Sequence, residues 1–224
     1  MRSASSNMSL KSFSLLLDER IRESLCPLRK LLRAGNTKVP VTTAIFNMSS
    51  AATCPSLHLG LCRAYSPIGK HVCYAKKAEW LYPNALPFRT KQMAYWLSCT
   101  AEEFASQFLF VNASKEVPFD ALRLNESGDF HTQACIDKAD RIACILGNYK
   151  IKVYCYTSRS DLDYSKVRHL IISGSSFEKE GISNVFKMVE DVKDKPRGYG
   201  VCKGDCKICT RCLVRGKKTV VKRH

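Results

Sequence analysis

The sequence predicts an α/β protein: a partial (β/α) barrel or an open, mostly parallel sheet, with a small cysteine-rich, metal-binding appendage at its C-terminal end. Three observations predict it. Short β-branched runs alternate with amphipathic stretches of helical period across residues 39–192. Such alternation argues for parallel strands joined by right-handed crossovers. About four or five strands fit that span, too few for a closed eight-stranded barrel. Finally, four closely spaced cysteines, Cys202, Cys206, Cys209 and Cys212, follow the last predicted strand.

The elements follow in chain order. Residues 11–34 place Leu17, Ile21, Leu25, Leu28 and Leu32 at near-helical spacing, with Pro27 dividing the run and Gly35 ending it. This is an N-terminal helical segment, 1–38. "VPVTTAIFN" (39–47) reads as a strand. "YAKKAEWLY" and "PFRTKQMAYWLSC" read as helices, and Thr100 with Glu103 forms a capping-box pattern opening "AEEFASQFLFV". "FDALRLNES" (119–127) is a strand, and "HTQACIDKADRIACILG" is an amphipathic helix stopped by Gly147. "YKIKVYCYT" (149–157) is a strand, a short helical stretch near "DYSKV" follows, and "RHLIIS" (168–173) is again a strand. "NVFKMVEDV" has an ambiguous period. Residues 39–192 make the α/β core and 193–224 a basic cysteine-rich segment.

The 224 residues are 45% hydrophobic, enough for one well-buried domain. No apolar run approaches the ~20 residues of a membrane span. The stretch "FSLLL" before Asp18 is too short for the core of a secretory signal. The expectation is a cytoplasmic protein with reduced thiols, so clustered cysteines point to metal rather than disulfides. Five of the twelve cysteines, Cys26, Cys99, Cys135, Cys144 and Cys155, are scattered and read as core packing. Net charge is +16, and Lys195–His224 carries ten Lys/Arg against the single acid Asp205, so 10 − 1 = 9 of those charges lie there. A basic tail of this kind attracts nucleic acid through phosphate neutralisation, or simply solubilises the chain end.

Ligands of parallel α/β folds bind at the carboxyl ends of the strands. The predicted strands exit into the loop holding Cys54, Cys62 and Cys73, then into "NESGDFH" (125–131), "YTSRSD" (156–161) and "SGSSF" (173–177). Glu126, Asp129, Tyr156 and Arg159 are the candidate catalytic residues: acids for proton transfer or for an ammonium or hydroxyl, and an arginine that forks onto a carboxylate or phosphate. Asn125, Gly128, Ser173 and Ser175 are candidates for cofactor binding through side-chain or backbone polar groups. Each exit is also ordinary loop chemistry, with Glu126 paired to a lysine and Asp129 capping the next helix.

The run "CKGDCKICTRC" has gaps of three, two and two residues and supplies four thiolates for one metal centre. It is closer to ferredoxin spacing than to paired zinc knuckles, and iron–sulfur is preferred to zinc. Cys54, Cys62 and Cys73 are separated by seven and ten residues. Three thiolates leave one iron of a [4Fe–4S] cluster open to a substrate or cofactor; alternatively they bind zinc with His58 or His71, or are partly core.

"TCPSLHLGLC…CYAKKAEW", "LRLNESGDF", "VYCYTSRS", "IISGSSF" and the terminal cysteine run resemble, in that order, the phage "gene product eighty-eight" domain family over roughly residues 40–212. The resemblance implies a viral or mobile-element origin, hence host cytoplasm, and no particular activity. More distantly, the chain resembles radical S-adenosylmethionine enzymes, which place a three-cysteine cluster loop after the first strand of a partial barrel and often carry C-terminal auxiliary clusters. This likeness implies one or two [4Fe–4S] clusters and S-adenosylmethionine as cofactor. The spacing differs from the CxxxCxxC of those enzymes, and "NESGD" stands where they carry a Gly-Gly-Glu segment. Two functions are therefore carried forward. One is a radical-type iron–sulfur enzyme acting on a nucleic acid or nucleotide; the other is a non-enzymatic, zinc- or cluster-stabilised nucleic-acid-binding accessory.

Overall fold

A computed structural model describes residues 26–62 and 73–222. The described strands are β1 (Arg33–Ala34), β2 (Thr43–Phe46), β3 (Ala121–Leu124), β4 (Lys152–Thr157), β5 (Ile171–Ser175), β6 (Asn184–Val189), β7 (Gly200–Val201) and β8 (Lys218–Lys222). They form one open sheet in the order β1-β2-β3-β4-β5-β6-β8-β7. Every pairing is parallel except that of β1 with β2. The α-helices are α1 (Pro55–His58), α2 (Tyr74–Leu81), α3 (Ala85–Ser98), α4 (Ala101–Ala113) and α5 (Gln133–Gly147). None of the described helices is long and apolar enough to cross a membrane.

From β2 to β6 the strand order never reverses. With right-handed crossovers, an unreversed order puts the connecting helices on one face of the sheet. The residue alternation agrees. Ala44, Phe46, Leu122, Leu124, Val153, Cys155 and Ile172 share a core with Trp96 of α3, Phe104 and Phe108 of α4, and Ile136, Ile142 and Leu146 of α5. The opposite face carries a small cluster of Ala121, Tyr154 and Ile171, against which Tyr156 and Leu213 pack. The register places Arg123 directly between Ile45 and Tyr154 on that second face. One face is thus an apolar, helix-covered core. The other is polar-aromatic and is covered in part by the C-terminal segment.

The helix-forming signals act as expected. The Thr100 hydroxyl accepts from Glu103 N, and the Glu103 carboxylate accepts from Thr100 N, closing the capping box of α4. Three expectations are corrected and one open stretch is decided. Of the stretch 11–34, residues 1–25 lie outside the described residues, while Pro27–Lys30 is a single 3-10 turn and Arg33–Ala34 an edge strand. Gly35, at φ +51, turns that strand back, and a Cβ there would lie 2.6 Å from the Val39 and Pro40 carbonyl oxygens. The stretch near "DYSKV" has no helix: the Tyr164 ring is buried and its hydroxyl donates to the Arg159 carbonyl, folding the segment as turns. "NVFKMV" is strand β6. The basic end is not a separate appendage, because β7 and β8 belong to the main sheet. Thr219 and Val220 are buried beside β6, a pattern masked in sequence by the surrounding lysines.

Candidate functional site

The carboxyl ends of β2 and β3 are joined by side chains rather than by regular structure. Asn47 accepts from Ser127 N (2.7 Å) and donates to Gln92 Oε1 (2.9 Å). The buried Glu79 carboxylate of α2 accepts from Ala51 N (2.7 Å) and pairs with the buried Arg89 of α3 at 2.8 Å. These bonds hold the loop after β2, and with it the cysteines. Cys54 is the residue before α1, with Pro55 at the first helical position, and Cys73 is the residue before α2. The Tyr74 hydroxyl donates to the Glu126 carbonyl, which seats α2 over the end of β3. Cys62 lies within electrostatic reach of Cys54. Burial pushes the Cys54 thiol up to about 12, with Asp129 and Cys62 adding to the rise. His58 is engaged, a ring nitrogen 2.8 Å from the Ala52 carbonyl; His71 lies outside the described residues.

Several predicted site residues lock these loops together. Asp129 is buried and its carboxylate takes four hydrogen bonds. Oδ2 accepts from Ser56 Oγ (2.6 Å) and Ser158 N (2.8 Å), and Oδ1 from Thr157 Oγ1 (2.7 Å) and Phe130 N (2.9 Å). It joins the exits of β2, β3 and β4. Arg159 forks onto Asp161 through two 2.8 Å bonds and donates to the Phe130 and His131 carbonyls. Gly128, at φ +74, passes so close to Ser49 that a Cβ would lie 1.9 Å from its Oγ. Asn125, at φ +58, accepts from Met48 N at 3.2 Å, while its buried Nδ2 has no partner.

Glu126, Tyr156 and Ser173 belong instead to the face without helices. Glu126 accepts from Asn36 Nδ2 (2.5 Å), and Arg33 Nη1 lies 3.6 Å away. Tyr156 packs edge-on against Phe186 with ring centroids 5.1 Å apart, and its hydroxyl donates to the Cys212 sulfur. Ser173 is buried between Tyr156 and Asn184 in the register; Ser175 is the half-buried last residue of β5. Three residues that sequence reading missed complete this face: Arg123, Tyr154 and Tyr74. The Arg123 guanidinium stacks 5.4 Å from the Tyr156 ring centroid. Its trace in the sequence is the lone charge inside the apolar strand "ALRL".

The four C-terminal cysteines lie over the same face. Cys202 N donates to the Val220 carbonyl (2.7 Å) and Cys206 N to the Lys38 carbonyl (2.8 Å), so the loop is tied at both ends of the polar-aromatic surface. Cys212 has Cys202, Cys206 and Cys209 as electrostatic neighbours, and burial first, then those thiols, raises its thiol. Burial likewise raises Cys206, with Arg123 pulling the other way. Among the described residues, no three His, Cys, Asp or Glu side chains are arranged to hold a metal as they stand. What fits a soft metal is the donor set: four neighbouring thiols on a short loop whose backbone is anchored.

The model of the family described as Gene product 88 matches residues 27–176. The chain belongs to that family. The match begins at Pro27, spans the three-cysteine loop and the strand exits, and stops after β5. The four-cysteine loop of this Gene product 88 protein therefore lies beyond the family match. No curated protein and no solved structure matches the chain.

Cys135 is buried as expected, but its sulfur is not in plain apolar packing. It lies in the first turn of α5 in this Gene product 88 chain and accepts from Trp96 Nε1 (3.4 Å) and Thr132 Oγ1 (3.8 Å). Burial pushes the thiol up, yet hydrogen bonds from His131, Trp96 and Thr132 outweigh it and bring it down to about 6. A depressed folded value stabilises the fold where the thiolate exists. The contribution is complete above the ordinary thiol value of 9.0 and is lost as pH falls through about 6. The stability advantage of the wild type over Cys135→Ser is expected to shrink between pH 9 and pH 6, read by urea denaturation. A pH-independent difference would mean that the thiol is not ionised.

Proposed function

We propose that the protein is an iron–sulfur enzyme of radical S-adenosylmethionine type acting on a nucleic acid or nucleotide, its sheet forming a partial (β/α) barrel. The observation that carries the reading is the joint position of Cys54 and Cys73 at the carboxyl ends of adjacent parallel strands, with four further thiols over the helix-free face. Cys54, Cys62 and Cys73 would hold one [4Fe–4S] cluster, and Cys202, Cys206, Cys209 and Cys212 a second. Bound there, the first would supply an electron for reductive cleavage of S-adenosylmethionine. The chain's own part is positioning. Glu79 and Asp129 fix the cysteine loop, Glu126 and Asn125 offer polar groups at the end of β3, and Tyr156 and Ser173 line the face where a substrate would lie. The basic C-terminal segment supplies charge for a polyanion.

Purification without oxygen, followed by iron and sulfide analysis, is expected to give about four or eight irons per chain, the sum of one or two four-iron centres. Dithionite with S-adenosylmethionine is then expected to release 5′-deoxyadenosine. Full clusters without cleavage would overturn the enzymatic reading. A second reading rests on the closed, four-thiol set between β7 and β8, which suits structural zinc. About one zinc, no iron, and nucleic-acid binding that falls steeply with salt would favour the accessory role.

A further inference from the structure

We propose that Arg123, with Tyr74, Tyr154 and Tyr156 around it, is a binding subsite for the phosphate of a nucleotide, set between the two cysteine groups. The surroundings of Arg123 carry the inference. It projects from the middle of β3 onto the face that no helix covers, with Ile45 and Tyr154 as its neighbours in register. Its Nε is fully buried and has no hydrogen-bond partner. A buried guanidinium normally finds a carboxylate or several carbonyls, because leaving its donors unpaired is costly. The nearest acid, Glu126, is instead turned to Asn36 and Arg33. The groups that face Arg123 electrostatically include three phenols, Glu126 and the Cys206 thiol.

This is the arrangement an oxyanion would complete. A guanidinium supplies a planar fork of donors that matches phosphate geometry, and the phenol hydroxyls can rotate toward it, Tyr74 leaving the Glu126 carbonyl and Tyr156 the Cys212 sulfur to do so. The Tyr156 ring holds the guanidinium from one side. Tyr74 directly follows Cys73, and Cys206 senses the Arg123 charge. A phosphate held here would sit beside both sulfur groups, anchoring the rest of the molecule near them. Carboxylates share the same donor preference, but a chain of net charge +16 with a basic end suits a phosphate-bearing ligand better.

The subsite deepens the reading proposed above but stands on the side chains alone, so the two fail separately. The probe is adenosine monophosphate, titrated calorimetrically into anaerobically purified protein whose metal content is measured on the same sample; adenosine and succinate serve as controls. The monophosphate is expected to bind, adenosine not to bind, and succinate to bind more weakly. Arg123→Met is expected to weaken the monophosphate about tenfold or more, as loss of a charge-assisted contact does. Arg123→Lys is expected to recover part of it, and Tyr156→Phe, which keeps the ring and removes the hydroxyl, to weaken it a few-fold. Unchanged affinity in a folded Arg123→Met would overturn the subsite, as would succinate binding better than the monophosphate. So would loss of bound metal in Arg123→Met with affinity intact, since Arg123 would then be a counter-charge for Cys206. Binding by a wild type without iron leaves the subsite standing and overturns only the iron–sulfur reading.

Discussion

Replacing Asp129 by alanine is expected to destabilise the fold by about 3–5 kcal/mol, the range seen when one partner of a buried charged network is removed. The reason is the number of donors the carboxylate satisfies at once. Without it, Ser56 Oγ, Thr157 Oγ1, Ser158 N and Phe130 N all point into a space with no acceptor. Two of these are hydroxyls that can rotate; two are backbone N–H groups that cannot. Asp129→Asn is therefore not a mild change. Each carboxylate oxygen faces one hydroxyl and one backbone N–H, so the amide nitrogen must oppose a backbone donor whichever way it is turned. The asparagine variant is expected to lose at least about 2 kcal/mol despite its near-identical volume. Urea denaturation of both variants at neutral pH measures this. An asparagine variant within about 0.5 kcal/mol of wild type would mean that Asp129 does not hold the three strand exits together. Burial raises the carboxyl above its ordinary value, and these four donors, which favour the ionised form, hold that rise back.

The central part of the fold was legible because its signals are local. "TAIF", "KVYCYT" and "IISGS" carry β-branched or aromatic residues with turn chemistry at both ends, "ALRL" is a short apolar run before the turn residues "NESGD", and each is a strand. α5 was legible from its apolar stripe, and α4 from a capping box that the structure closes. The misread pieces share another property: long-range partners decide them. Arg33–Ala34 has helical neighbours in sequence, but its backbone pairs with Ala44 and Ile45. "KTVVK" is flanked by charge, and only the adjacent β6 reveals Thr219 and Val220 as buried. The turn region 161–167 is held by Tyr164, whose contacts lie outside its own segment.

The candidate site divides along the same line. That the strand exits gather polar, glycine and cysteine residues was legible, since Gly128, Asn125 and the cysteines announce themselves by residue type. Which exit residues face a ligand and which face each other was not. Asp129 and Arg159 are two of the four catalytic candidates, and their hydrogen bonds run mainly to loop backbone, hydroxyls and Asp161. Arg123 looked like a strand residue, and its Nε is a buried donor without a partner. The difference is set by which face of the sheet each side chain leaves from, a fact that period two encodes only once the strand limits are known.

The second large effect concerns the C-terminal thiols. In metal-loaded protein, Cys212→Ala is expected to remove one metal centre entirely while leaving the three-cysteine centre in place. Its structural consequence should be confined. β8 is held to β6 by five paired residues, Val185–Val189 with Lys218–Lys222, which do not depend on the cysteine loop. β7 pairs with β8 over two residues only, Gly200 and Val201, and the loop after it is anchored by Cys202 N on Val220 and Cys206 N on Lys38. Structural metal sites in small motifs contribute on the order of 10 kcal/mol, far more than two strand pairs and two hydrogen bonds. Loss of the centre should therefore free the loop but not the sheet. Hydrogen exchange is expected to show the Cys202 and Cys206 amides losing protection by about a hundredfold or more, with the β6 and β8 amides unchanged. Unaltered protection in the loop, with metal content also unaltered, would show that Cys212 holds no metal. General loss of protection across β4–β6 would show instead that the thiol packed under Tyr156 matters for the helix-free face itself, since Leu213 and Tyr156 share a cluster with Tyr154 and Ile171.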